Sequence, residues 1–487
     1  MKKSKILAAA MALAMTVPMT LTGYAADSDA VKCDVNQDGE FNLSDMVTFN
    51  KWILGRGELA DSAAADANED GELNIFDYVE MRRVLLSGIN QWAQPMDNAE
   101  VRNLCQGIKP SEKEDAEADE QFILGQTEFA LELLKNTAEE GENTLVSPYS
   151  VMQALAMTAN GADGTTKEEM EKVLGGMPIE ELNKYLRTQR LSQPSIDGCK
   201  VNVTNSIWTN NEIFRPSAEF IQANVDFFDS EVFATPFNND AMNAINGWVN
   251  KKTDGMIDKI LTELSKNSTA VLVNTVTFDS EWAVTYYEDD VFDGIFTSAE
   301  GKEQEVGMLS STENVYLKTD DAVGFMKPYI GGRYSFAALL PDEDTTPEEL
   351  IDSFTAESFN TMINEKDRFK KVHVLMPKFK AEYSQELSNV LSDMGMPTAF
   401  SEELADFSKM NATGEPDSYI GEVQHKTALE LTEKGTKAAA ATAVVMTEKT
   451  AVSMDEYVRL DRPFVYFIMD NETSLPLFIG TMNSIEQ

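Results

Sequence analysis

Near the N-terminus two short stretches repeat apolar residues at spacings of three and four: Met46, Phe49, Trp52 and Ile53, then Tyr78, Val79, Met81, Val84 and Leu85. That period keeps them on one face of a helix. Each predicted helix follows an acidic turn containing glycine. Asp34-Val35-Asn36-Gln37-Asp38-Gly39 recurs thirty-two positions later as Asp66-Ala67-Asn68-Glu69-Asp70-Gly71, and each copy runs through Asn42 or Asn74 to Asp45 or Asp77. From Gln91 to Glu117 the pattern dissolves. Pro95, Gly107 and Pro110 punctuate it and residues 111–119 are mostly charged, the composition of a flexible, self-repelling linker. Helical spacing returns with Phe122, Phe129, Ala130 and Leu133, and patterned sequence then continues to Ile485. Val201–Trp208, Ala270–Phe278, Val372–Leu375 and Phe464–Met469 read as strands. Helices and strands do not alternate regularly, which predicts an α+β domain rather than a doubly wound sheet.

A chain of 487 residues exceeds what one core usually organises. The expected division is a signal peptide at 1–25, a small all-α domain at 30–90, a linker at 91–118 and a large domain at 119–487. Lys2, Lys3 and Lys5 precede an apolar run from Ile6 to Leu21 interrupted by Pro18, and Gly23-Tyr24-Ala25 supplies small residues for cleavage. A secreted, extracellular protein is therefore expected. The formal charge of −42 becomes −45 once those three lysines are removed. So acidic a surface repels phosphate backbones and anionic lipid, arguing against nucleic-acid and membrane partners and favouring cations. Three cysteines, Cys33, Cys105 and Cys199, are too few for a disulfide scaffold; Cys33 and Cys105 either bridge the ends of one segment or stay as thiols.

A hard divalent cation takes six to eight oxygens, which a tight loop supplies at positions one, three, five, seven, nine and twelve. Asp34, Asn36, Asp38, the Glu40 carbonyl and Asp45 fit one such loop, and Asp66, Asn68, Asp70, Glu72 and Asp77 fit a second. Gly39 and Gly71 occupy the sixth position, where the sharp turn favours glycine. Two EF-hand-like loops predict two Ca2+ ions. Both end in Asp rather than the usual Glu and lack a full entering helix, and in this they resemble dockerin modules over Cys33–Ser87. The resemblance implies a cohesin domain of a scaffold as partner. It places recognition at Leu43, Ser44, Asn50 and Lys51 in one repeat and Ile75, Phe76, Arg82 and Arg83 in the other.

Seven segments of the large domain together resemble the serpin family. They are Asn143 to Ser150, Asn160 to Thr166, Val271 to Asn274 with Phe278 and Trp282, Met376 to Phe379, Val423 to Lys426, Glu433 to Thr436, and Asp461 to Phe464. The resemblance spans nearly all of 119–487. It implies three β-sheets with surrounding helices, an exposed reactive loop and a monomer. The activity it implies is inhibition of a serine or cysteine endopeptidase, not catalysis. His425 is placed at a shutter beside Ser147, Ser150 and Asn274, and Trp282 at the breach where the sheet opens.

In such a protein the loop is bait: once cut it enters the central sheet and traps the acyl-enzyme. Alternate residues of a strand face opposite sides. Beyond Glu433 and Gly435, one set is Thr436, Ala438, Ala440, Thr442, Val444 and Met446, all uncharged, while Lys437 and Lys449 fall on the other. Four consecutive alanines would equally suit a helix, and the resemblance selects the strand. Lys437 stands where inhibitory members carry an acidic residue, a departure the outward set should tolerate. By the family's spacing the bait residue lies fourteen after Gly435, at Lys449 before Thr450, which suggests trypsin-like targets. A slipped register would make it Met446 or Val445 and point to subtilisin- or elastase-like enzymes. Two other readings stay open: a non-inhibitory serpin cleaved as a substrate or used for binding, and a carbohydrate-active enzyme of the kind dockerins often carry. For the latter nothing organises a catalytic site: no Gly-x-Ser-x-Gly or His-Glu-x-x-His occurs.

Overall fold

The computed structural model describes residues 101–485 except 194, 195, 417 and 437–454. In the N-terminal part it describes 32–37, 41, 43–57, 59, 60, 62, 64–67, 73–75, 77–79, 81 and 82. The chain divides into two units, Met1–Asp97 and Asn98–Gln487. Residues 1–25, expected to be a signal peptide, lie outside the described residues. Among the described residues no helix is long and apolar enough to cross a membrane.

In the first unit, helix α1 (Leu43–Ile53) turns Met46 and Phe49 into a core completed by Cys33, Val35, Phe41, Ala65, Ala67 and Met81. Phe49 stacks on Trp52 with centroids 5.5 Å apart. Cys33 N–H donates to Ala64 O and Ala60 N–H to Val35 O, so the stretches opening the two repeats are tied together by backbone. Val79, grouped above with the apolar face of the second helix, is instead exposed, whereas Tyr78 and Met81 face the core.

The second unit holds three sheets. The central one runs, edge to edge, through β1 (Arg102–Asn103), β4 (Glu231–Thr235), β3 (Cys199–Asn210), β5 (Ala270–Glu281), β14 (Gly435–Thr436), β13 (Glu422–Leu431) and β12 (Phe379–Glu386). The second runs through β2 (Thr144–Val146), β17 (Leu475–Met482), β16 (Phe464–Asp470), β10 (Tyr334–Pro341), β9 (Ala322–Pro328) and β8 (Val315–Lys318). The third is β15 (Glu456–Arg459), β11 (Val372–Pro377), β7 (Glu303–Glu313) and β6 (Val291–Thr297). The strands read from sequence are all present. Helix α3 (Pro148–Ala159) is buried at every position, as its uncharged sequence demands, with Ser147 capping its N-terminus and Pro148 in its first turn. It lies beneath β3 and β5, the place from which its capping residue reaches the central sheet.

The segment expected as a linker, 91–118, behaves differently in its second half. β1 pairs with β4 at the edge of the central sheet, and Leu104 N–H donates to Val232 O. Leu104 and Cys105 pack against the core, and burial pushes the Cys105 thiol up to about 11. Further along, Ser111 N–H donates to Asp226 at 2.7 Å, Lys113 pairs with the same carboxylate at 3.0 Å, and Ala116 N–H donates to Thr188 at 3.1 Å. Asp115 pairs with Arg187. The charges that looked self-repelling along the chain are matched by opposite charges on helices α5 (Ile179–Leu191) and α6 (Ala218–Phe228). Within this unit Cys105 and Cys199 are thiols.

Asp226 is 3% exposed, and apart from Gln222 on its own helix, which donates to it at 2.7 Å, its carboxylate takes its partners, including its only cation among the described residues, from this strap. Replacing residues 102–116 of the full chain by a Gly/Ser segment of equal length should destabilise the large domain by about 2 kcal/mol, mostly from stranding that charge. Thermal denaturation measures it; an unchanged Tm would show the strap to be passive.

Candidate functional site

β5 and β13 run parallel and hydrogen-bond directly from Val271–Glu422 to Thr277–Ala428. Above that stretch they part, and β14 sits between them, Gly435 opposite Glu281 and Thr436 opposite both Ser280 and Leu431. A tight turn leads into β14: Thr432 N–H donates to Gly435 O at 2.8 Å, and Gly435 N–H returns to Thr432 O at 3.3 Å. Gly435 has φ +151°, and a Cβ there would lie 2.1 Å from Ser280 O, so only glycine lets the backbone approach β5 this closely.

Trp282 holds that turn. Its indole N–H donates to Thr432 O at 2.9 Å and its backbone N–H to Lys434 O at 2.9 Å, while Tyr286 N–H donates to Glu433 O. Lys378 reaches the Glu433 carboxylate at 3.5 Å. Behind the indole lies a buried ion pair, Lys327 with Glu313 at 2.9 Å, and the Lys327 ammonium lies over the rings of Trp282 and Tyr286 at 5.4 and 4.5 Å.

Further down, a chain of hydrogen bonds crosses the seam. Ser147 N–H donates to His425 Nε2 at 3.2 Å, which leaves the ring proton on Nδ1 to donate to Asn274 Oδ1 at 2.8 Å. Asn274 Nδ2 donates to Ser150 Oγ at 2.5 Å and to Asn205 Oδ1 at 2.6 Å. Burial pushes the His425 pKa down to about 3, so the ring is neutral. Ser147, Ser150, Asn274 and His425 are thus brought together, and Trp282, Glu433, Gly435 and Thr436 form a second cluster above them. Neither contains a nucleophile paired with a base.

Ala438, Ala440, Thr442, Lys449 and Thr450 lie outside the described residues. So do Asp38, Glu40, Asn68, Asp70 and Glu72 of the acidic loops, and Phe76 and Arg83. Asp45 and Asp77 are fully buried and fold back onto their loops, Asp45 accepting from Asn36 N–H at 3.2 Å and Asp77 from Ala67 and Asn74 N–H at 3.0 and 2.8 Å. Asp34 is also buried and Asp66 half-buried. Among the described residues no group of three carboxylates converges. Ser44, Lys51, Ile75 and Arg82 are exposed and Asn50 half-buried, while the Leu43 side chain is outside the described residues.

Sequence reasoning missed Asn205, Tyr286, Lys327 and Lys378 as parts of these clusters, and Tyr329, which stacks on Trp282 and bonds Thr436. Asn205 stood within a stretch read as a strand and Lys378 within a segment carrying the family resemblance.

Residues 124–485 match the serpin (serine protease inhibitor) family and residues 32–86 the dockerin type I domain. The chain is 32% identical over 363 residues to an uncharacterised serpin-like protein of Thermococcus kodakarensis, covering 73% of this chain and 83% of that one. It is 28% identical over 385 residues to leukocyte elastase inhibitor A of Mus musculus, covering 75% of this chain and all of the other. Among solved structures, the native state of a thermophilic serpin, tengpin, is similar with a TM-score of 0.75 at 41% identity, covering 80% of this chain and 100% of tengpin.

His425 binds fewer protons folded than unfolded between about pH 3 and its ordinary value of 6.5. Stability conferred by the neutral ring is therefore present above pH 6.5 and lost on acidification, by about 1.4 kcal/mol per pH unit within that window. Denaturant titrations at pH 7, 6, 5 and 4 should show the stability gap between wild type and His425→Asn shrinking at that slope. A gap independent of pH would mean the ring is not held neutral.

Proposed function

The chain belongs to the serpin family and carries a type I dockerin domain, and on that premise we propose that it is a secreted suicide-substrate inhibitor of a serine or cysteine protease, held on a cohesin-bearing scaffold. The observation that carries the reading is the seam: the strand leading into the loop is already seated between β5 and β13 by Gly435 and Thr436, with an uncharged alternate set behind it.

The target's nucleophile attacks the Lys449 carbonyl, the Lys449–Thr450 peptide bond breaks, and the new N-terminus at Thr450 leaves. Lys449 is then esterified or thioesterified to the enzyme. Freed at its far end, the loop continues β14 downward, which requires β5 and β13 to part and the His425–Asn274 bond to break. Each inserted residue pair replaces solvent contacts by ladder hydrogen bonds worth about 1 kcal/mol each. Some ten of them, with burial of Ala438, Ala440, Thr442, Val444 and Met446, suffice to drag and distort the attached enzyme. Loss of one oxyanion donor slows deacylation by about 10²–10³, so the ester persists.

The dockerin's part is anchoring. Asp34, Asn36, Asp38, Asp45 and the Glu40 carbonyl would hold one Ca2+, and Asp66, Asn68, Asp70, Glu72 and Asp77 a second. The all-oxygen donor set suits a hard cation, and the buried Asp45 and Asp77 side chains already close their loops by backbone N–H bonds. Bound calcium supplies the charge that lets these carboxylates share a loop. The exposed Ser44, Lys51, Ile75 and Arg82 support a cohesin-facing role, and the leader at 1–25 supports export.

Incubation with a panel of trypsin-, elastase- and subtilisin-like enzymes, followed by denaturing electrophoresis, tests the inhibitor. Wild type should give a covalent complex with trypsin-like enzymes. Lys449→Ala should lose it. Thr436→Arg should be cleaved without trapping: position 436 is already buried in the uncleaved sheet, so an arginine unseats β14 there, and seating its unpaired guanidinium again for insertion costs several kcal/mol, about 3 or more. Cleavage mapping after Met446 would move the bait residue; cleaved product alone with every enzyme would reject inhibition.

For anchoring, chelator should abolish cohesin binding by the full chain and calcium should restore it. Binding unaffected by chelator would remove the metal from the reading.

A further inference from the structure

We propose that Tyr329 is a positioning residue for loop insertion: its phenol latches Thr436 into the sheet of the uncleaved chain and so sets the register in which the rest of the loop enters. This rests on the inhibitory reading above.

The need for such a device is visible in the loop's composition. After Thr436 come Lys437 and four alanines, Ala438 to Ala441, with Thr442 the next residue bearing a hydroxyl. Methyl groups of equal size fit a strand in any register, and a slip of one residue would turn Lys437 inward. The first inserted side chain must therefore specify the pairing. Thr436 is fully buried, and its hydroxyl shares a 2.6 Å hydrogen bond with the Tyr329 hydroxyl. A buried hydroxyl needs a partner, and only one seating of β14 supplies this one.

Tyr329 is itself immobilised. It follows Pro328 in a connection between β9 and β10, where its N–H donates to Tyr334 O at 3.0 Å. Its ring lies parallel to Trp282 at 4.5 Å with planes 9° apart, and meets the edge of Phe278 at 4.8 Å. Trp282 in turn holds Thr432 and Lys434. One indole thus fixes both the phenol and the turn that delivers Thr436 to it. Tyr329 lies in the second sheet's connection and is bridged to Trp282 just past β5, with Ile330 N–H donating to Glu281 O, so the latch stays with the β5 side of the seam as it opens.

The test uses the full chain and four variants: Tyr329→Phe, Thr436→Val, Thr436→Ser and the Tyr329→Phe/Thr436→Val double. Hydrogen–deuterium exchange over 430–437 reads the latch without any protease. Each single variant that strands one partner should exchange about fivefold faster, the value of one neutral hydrogen bond. Thr436→Ser, which keeps the hydroxyl, and the double variant, which strands nothing, should stay within about twofold of wild type. Against a protease that wild type traps, stoichiometry of inhibition should rise about two- to fivefold in the two stranding variants and also in the double variant, which has no latch left to specify the register, and should recover only in Thr436→Ser. Wild-type exchange in Tyr329→Phe would overturn the latch. Faster exchange with unchanged stoichiometry would overturn its role in register. If wild type traps no protease, the inhibitory reading falls and the register role with it, while exchange still decides the latch.

Discussion

Two parallel strands, β5 and β13, are hydrogen-bonded to each other along their lower length and held apart by two residues at the top. This unfinished seam is what the surrounding structure serves. A sheet that has space for another strand between two of its own is incomplete in hydrogen bonding and in packing at the top of that seam. α3 is buried on every side beneath it and gives it a floor, with the Ser147 cap placed where it can bond His425 across the chain fold. The hairpin turn at Thr432–Gly435 aims the loop into the seam, and Gly435 is the one residue type able to press its backbone against Ser280.

The strap at 101–119 shows how charge is spent in so acidic a protein. With 82 acidic residues against 40 basic ones, cations are scarce. Lys113 and Arg187 are used to bind a segment across helix ends, and that segment brings the buried Asp226 an ammonium and a backbone N–H beside the Gln222 amide of its own helix. The edge of the central sheet beyond β4 is thereby covered by β1, which removes a row of unpaired backbone groups from solvent. A strap fastened along one edge leaves the opposite side of the sheet, β12 and β13, without contact from it among the described residues.

Legibility in the sequence followed the length scale of the signal. Strands such as Ala270–Phe278 were readable because a run of branched residues buried on both faces has few alternatives, yet β5 continues to Glu281, since Asp279, Ser280 and Glu281 are held by partners in β3 and β14 rather than by their own propensity. His425, Asn274, Ser147 and Ser150 were found through family resemblance; nothing in their local sequence marks them as meeting. Asn205 was missed for the same reason, being one polar residue among many in β3. Tyr329 was invisible because it sits between Pro328 and Gly331-Gly332, where an aromatic residue reads as part of a turn. The strap was misread because composition reports how charges repel along a chain and not what faces them in space.

On the proposed insertion mechanism, the polar groups around the seam divide by whether they must let go. Across it, His425 and Asn274 are neutral and fully buried, so their bond is worth about 1 kcal/mol net and can be exchanged for ladder bonds as a strand enters. A charged histidine there would have to be stripped of its partner inside the protein, at a cost several times larger. The ions lie elsewhere. Lys327 on β9 and Glu313 on β7 join the second and third sheets, at 3% and 7% exposure, where separating them would leave two buried charges. Their pairing fixes Trp282 and Tyr286 from behind through the ammonium lying over both rings. Neutral bonds therefore close the part of the sheet that the proposed insertion would open, and the buried ion pair stands behind the part that it would leave in place.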